Sequence, residues 1–207
     1  MRFTPRFTER DVQVIAREPV FTGHFSVSAL TLRHRRFQGD WSAVLRREIF
    51  ERGDAVGVLP WNPVTDELIL IEQFRPGALR SGCSPWMLEL VAGVVEVGED
   101  DVAVAHREAR EEAGCVMDRL LPIATFFPSV GACSEQVRLF VGRVTDAAVG
   151  QIAGLASEHE DILVHALPRS DVLAMLDDNG IQNGHTLIAL QWLARKGDQL
   201  RDAWCRE

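Results

Sequence analysis

The chain has 207 residues, 46% of them apolar and 25% charged, with a formal net charge of −8. That length can bury a full core as one large domain or one domain with an appendage, while the acidic balance and the lack of a long basic run disfavour a nucleic-acid-binding surface. Four cysteines, Cys83, Cys115, Cys133 and Cys205, lack the paired spacing of a zinc site or disulfide framework, and no apolar run approaches the roughly 18 residues of a membrane span, so a cytoplasmic protein is expected.

From about Val12 to Phe50, VFTGHFSVSALTLRHRRF and WSAVLRREIF alternate in the manner of strands and are too few to make a self-sufficient core. Residues 1–50 are therefore expected to form a small β domain, with 51–207 as the main domain. From Asp54 onward come strand-like runs AVGVLPW and ELILIEQFR, separated by the turn Asn62-Pro63-Val64-Thr65-Asp66, and then LELVAGVV. Further strands are expected in LLPIATFF, VRLFVGRV and ILVHALP, followed by helices over SDVLAMLDD and HTLIALQWLARK. Mixed strands with helices before and after them argue for an α/β/α sandwich around a mixed sheet.

The chemistry is concentrated between Gly93 and Cys115, in GVVEVGEDDVAVAHREAREEAGC. Glu108, Glu111 and Glu112 recur at helical spacing, so their carboxylates project from one face. Such a cluster suits a hard divalent cation, which takes oxygen ligands and bridges to substrate phosphates. Asp100 or Asp101 can cap the helix, Val102, Ala105, Ala109 and Ala113 form its expected buried stripe, and Gly114 suits a left-handed stop. The metal face would lie opposite that stripe, within reach of a backbone carbonyl near Ala92. An exposed helix with a solvated acidic face is the plainer reading, but it leaves the glycines and Arg107 unexplained.

Gly93, Glu99, Arg107, Glu108, Ala109, Glu111, Glu112, Gly114 and Cys115 fall at the constrained positions of the Nudix hydrolase signature, and the segment resembles that family. The resemblance implies the α/β/α sandwich, two or three Mg²⁺ ions (or Mn²⁺) held by the Ala92 carbonyl, Glu108, Glu111 and Glu112, and an Arg107 that ties the loop through an acid such as Glu99; one residue before Glu108, Arg107 is expected to point away from it. RREIFERGDAV, LIEQFR, PWMLELVAG, Ser134-Glu135 and GLASEHEDILVHALPR extend the resemblance over most of the chain, to the bacterial ADP-ribose pyrophosphatase subgroup. By that resemblance Glu158 is the general base and Glu160 a further metal ligand. Arg75 and Glu135 contact substrate, and Arg47 reaches the nucleotide of the neighbouring subunit in a homodimer. Glu108 and Glu112 complete the catalytic set through the metal.

The implied reaction is Mg²⁺-dependent hydrolysis of ADP-ribose, a nucleoside diphosphate sugar, to AMP and ribose 5-phosphate. Two departures bear on the substrate. His24 stands where the subgroup often has an aromatic near the adenine, and Pro128 is displaced by two positions from the usual proline-glycine pair before Ser-Glu. A GDP-sugar or other nucleoside diphosphate sugar hydrolase is the alternative within the class. A non-catalytic Nudix-fold binding module would show no metal-dependent turnover, and an RNA-directed Nudix enzyme would be inhibited by RNA at low salt.

Overall fold

The structure, a computed structural model, describes residues 3–79, 82–147 and 150–206, without the side chain of Glu158. It divides into two compact units, Met1–Gly53 with Phe127–Glu135, and Asp54–Phe126 with Gln136–Glu207.

In the first unit the alternating sequence forms an antiparallel sheet in the order β1 (Val12–Thr22), β2 (Ser26–His34), β3 (Leu45–Glu51). The segment 127–135 joins β3: Phe50 donates its N–H to the Ala132 carbonyl at 2.7 Å and accepts from Ser134 N at 3.2 Å. Glu51 pairs with Arg17 and accepts from the Ser134 hydroxyl at 2.6 Å. On β1, Val14, Ile15, Val20 and Phe21 are all exposed.

The second unit is a helix–sheet–helix sandwich. In chain order it contains β4 (Ala55–Asn62), β5 (Glu67–Phe74), β6 (Trp86–Glu89), β7 (Val91–Val94), α1 (Asp101–Ala113), β8 (Val116–Phe126), β9 (Val137–Asp146), β10 (Ile152–Ala153), β11 (Ile162–Pro168), α2 (Arg169–Ala174) and α3 (Gly184–Trp204). Among the described residues the mixed sheet runs β10-β11-β5-β4-β9-β8, with β6 against β5 and β7 against β4. β4 is its centre, parallel to β9 and antiparallel to β5 and β7. It is buried from Ala55 to Trp61 because both faces are covered. Leu59 and Trp61 pack into a cluster with Leu190 and Leu193 of α3, and Val56 and Val58 into another with Val104, Ala105 and Ala109 of α1. Burial of apolar surface on two sides is thus the main stabilising term.

The expected strand LELVAGVV is two strands. It changes partner from β5 to β4 at Leu90, whose N–H leaves the ladder and donates instead to Thr186 Oγ1 at 2.9 Å. The expected helix 170–178 ends at Ala174, before Asn179 at φ 54° and Gly180, whose N–H closes on the Met175 carbonyl. The last helix runs further than expected, to Trp204. The 62–66 turn forms as expected, with Asn62 Oδ1 accepting from Val64 N at 3.0 Å. Asp66, in the left-handed region at φ 59°, accepts from Trp61 Nε1 at 3.1 Å and from Arg169 Nε at 2.8 Å, and lies 3.4 Å from Arg201. Arg169 and Arg201 come from α2 and α3, so Asp66 pins the β4–β5 turn to both helices. No helix among the described residues is long and apolar enough to cross a membrane.

Candidate active site

The site of the second unit is built on α1 and β7. Asp100 caps the helix by accepting from Ala103 N at 3.1 Å, and Gly114 ends it at φ 57°, where Cys115 N closes on the Ala109 carbonyl. The buried stripe is Val104, Ala105, Ala109 and Ala113; Val102 is exposed, because a helix beginning at Asp101 turns positions 104–105, 108–109 and 112–113 toward the sheet. The carboxylates of Glu108 and Glu112 therefore border the stripe instead of lying opposite it.

Glu112 is 3% exposed, and its Oε2 accepts from Ala92 N of β7 at 3.0 Å. Glu108 lies against Gly93: a Cβ on that residue would fall 1.7 Å from Glu108 Oε1, so a glycine is required for the carboxylate to rest on the strand. Arg107 ties the loop through Glu99 at 3.5 Å, as expected, but it also lies 2.8 Å from Glu108 and 3.2 Å from Glu111. The expectation that it points away from Glu108 is thus corrected, since a long guanidinium can swing toward the deepest nearby negative charge. The loop after β10 docks on the end of α1 through Gly154 N and the Glu111 carbonyl at 3.2 Å. Within that loop Glu160 accepts from Leu155 N at 3.0 Å. Glu158 closes a 3-10 turn, and its side chain lies outside the described residues.

Burial drives the electrostatics. It raises the Glu112 carboxyl, and with the charges of Glu108 and Glu160 pushes it up to about 8 against the Ala92 hydrogen bond and the charge of Arg75. Burial also raises Glu108, while Arg107 opposes the rise and Glu111 and Glu160 add to it. Among the described residues no three His, Cys, Asp or Glu side chains converge into a ready-made cation site. The groups that would hold one are neighbours nonetheless: oxygen donors on one helix, two of them pushed toward the neutral form by burial and by nearby acidic charges. A hard divalent cation is the ligand that would relieve that repulsion, and the oxygen donor set fits one.

Arg75, just after β5, is held by Glu89 of β6, with Nη2 2.8 Å from Oε2. In the first unit, Arg47 is exposed on β3 and donates to the Arg46 carbonyl, Glu135 is 4% exposed and 3.5 Å from Arg52, and the His24 ring meets Phe25 edge-on. Sequence reasoning assigned no role to Glu89, Asn183 or Thr186. An acid within the apolar run WMLELVAG was the available signal for Glu89.

A mixed sheet between helices, with one helix carboxylate resting on the glycine of an adjacent strand and a second bonded to that strand's backbone, defines an α/β/α protein equipped to gather a divalent cation. The NUDIX domain profile matches residues 51–187, and the chain belongs to the Nudix hydrolase family. It is 44% identical over 198 residues to an ADP-ribose pyrophosphatase of Escherichia coli (strain K12), covering 96% of this chain and 95% of that protein. It is 29% identical over 189 residues to a GDP-mannose pyrophosphatase of Enterobacter sp. (strain 638), covering 90% of this chain and 96% of that one. A crystal structure of an ADP compounds hydrolase superposes with a TM-score of 0.66 at 22% identity, covering 90% of this chain and 96% of the other, and so shares its fold.

Proposed function

We propose that this chain hydrolyses the diphosphate of ADP-ribose to AMP and ribose 5-phosphate with Mg²⁺ bound. The observation that carries the chemistry is the pair of α1 carboxylates Glu108 and Glu112 beside Gly93 and Ala92, with Glu111 on the same helix and Glu112 buried against its neighbours' charge. The 44% identity over nearly the whole length of an ADP-ribose pyrophosphatase, against 29% to a GDP-mannose pyrophosphatase, supports ADP-ribose as the substrate.

Glu108, Glu111, Glu112, Glu160 and the Ala92 carbonyl would hold two or three Mg²⁺ or Mn²⁺ ions. When bound, the metal supplies Lewis acidity and a template for in-line attack on the diphosphate. The chain's own groups do the rest. Glu158, on the loop docked to α1, accepts the proton of the attacking water, a role worth about 10²–10⁴-fold in rate. Arg107 holds the loop through Glu99 and also pairs with Glu108 and Glu111, while Glu112 stays bonded to β7 through Ala92 N. Arg75 offers donors to the substrate, and Glu135 and Arg47 are the remaining substrate contacts.

The N-terminal β domain of residues 1–50 acts as the dimerisation element. Its outer strand carries exposed Val14, Ile15, Val20 and Phe21, apolar side chains that a second copy of the chain would cover. In the homodimer Arg47 serves the neighbour's site. The cytoplasm is the proposed compartment.

The test is a substrate panel with product identification by mass spectrometry. ADP-ribose with Mg²⁺ is expected to yield AMP and ribose 5-phosphate, with kcat/KM at least about tenfold above GDP-mannose. Faster cleavage of GDP-mannose would transfer the assignment to GDP-sugars, and no metal-dependent turnover of any diphosphate would leave a binding module.

A further inference from the structure

Glu89 ends β6 at 3% exposure, and a carboxylate at that depth is costly unless its oxygens are paired. Its partners come from three directions. Arg75 places Nε 3.0 Å and Nη2 2.8 Å from Oε2. Gln73, itself buried on β5, donates to Oε2 at 3.4 Å, and Asn183 Nδ2 donates to Oε1 at 3.0 Å.

Asn183 is committed at both ends of its amide. Its Oδ1 caps α3 by accepting from Thr186 N at 3.0 Å and Thr186 Oγ1 at 2.9 Å, which leaves Nδ2 for Glu89. Thr186, at 0% exposure, accepts in turn from Leu90 N. The first turn of α3 thereby holds the residue that clamps Arg75 and also the next residue along, where the chain enters the strand bearing Ala92 and Gly93.

The Arg75 side chain is 44% exposed, and its Nη1 makes no bond among the described residues. Among the described residues the guanidinium is clamped along one edge and unbonded along the other. An arginine ordered in this way before binding has less freedom to lose when an anionic oxygen arrives.

We propose that Glu89, backed by Asn183, is a positioning residue that presets Arg75 for substrate, so that the first turn of α3 contributes to affinity without touching the ligand. This rests on Arg75 being a substrate contact. The experiment is a double-mutant cycle on ADP-ribose hydrolysis with R75A, E89Q, R75A/E89Q, N183A and R75A/N183A, each checked by circular dichroism and thermal melting. E89Q should raise KM about tenfold with kcat within about threefold. In the R75A background the same substitution should add less than about twofold. N183A should act in the same direction, more weakly, and also lose its effect without Arg75; it carries the cycle if E89Q does not fold. An E89Q penalty of equal size in both backgrounds, or a lowered melting temperature with KM unchanged, overturns positioning. Unchanged KM in R75A rejects the substrate role of Arg75 and positioning with it, whereas raised KM in R75A beside a wild-type KM in E89Q rejects positioning alone.

Discussion

At Glu112 two requirements conflict. Burial and the charges of Glu108 and Glu160 oppose its ionised form, while holding a cation needs that form. A group whose folded pKa is raised contributes stability at low pH that is lost as pH climbs through the folded value, near 8 here. Glu112→Gln retains an oxygen for Ala92 N and carries no charge. In chelator at pH 8.5 it should melt at a higher temperature than wild type, while with Mg²⁺ its turnover should fall at least about 10²-fold. Melting curves and kcat measured on the same samples decide this, and activity within a few-fold of wild type rejects the metal role. The two loop acids are separable by kinetics. Glu158→Gln should lower kcat far more than it weakens binding and should flatten the acidic limb of the pH profile, since a base works only when deprotonated. If Glu160→Gln gives that signature instead, the two roles are exchanged.

Among the elements, α1 was the most legible in sequence, because its cap, its carboxylate spacing and its terminal glycine are all local signals, and Asp100 and Gly114 act as read. Its stripe was misread at Val102 since the apolar letters at 102 and 104 are equivalent and only the sheet decides between them. The break at Leu90 was not legible for a related reason: its signal is a hydroxyl, Thr186, 96 residues away. Arg75 and Glu89 show the same limit, as an apolar run names a strand but not the buried acid's partners. The Asp66 staple, likewise long-range, gives a pH prediction. Burial alone would raise Asp66, but hydrogen bonds from Arg169 and Trp61, with the charges of Arg169 and Arg201, outweigh it and hold the carboxyl below its ordinary value. The associated stability is present above the unfolded value of about 3.9 and is lost as pH falls through the folded one. Asp66→Asn tolerates the left-handed turn, so it should lower the urea midpoint at pH 7 and show a smaller further loss by pH 3 than wild type does. An equal acid loss in both proteins places the titrating group elsewhere.

For the whole molecule the decisive question is whether a site is completed by a second chain. Arg47→Ala and Glu112→Gln should each be inactive, and mixing them under subunit exchange should restore part of the ADP-ribose turnover, because one site of each mixed dimer then has both residues intact. No recovery, with heterodimers shown to form, would place Arg47 in its own subunit's site or outside it. Deletion of residues 1–50 should abolish dimerisation and turnover, but it also strips 127–135 of β3, so the mixing experiment is the sharper of the two. The attachment of that segment to β3 also has a temporal side. Phe50 meets Ser134 across 84 positions. On a ribosome adding about 5–20 residues per second, that interval is roughly 4–17 s. A nascent chain carries its N-terminal sheet with one margin unfinished for that whole period, while the strands from β4 to β8 emerge behind it. Slow translation between codons 51 and 134 would prolong the exposure of that margin.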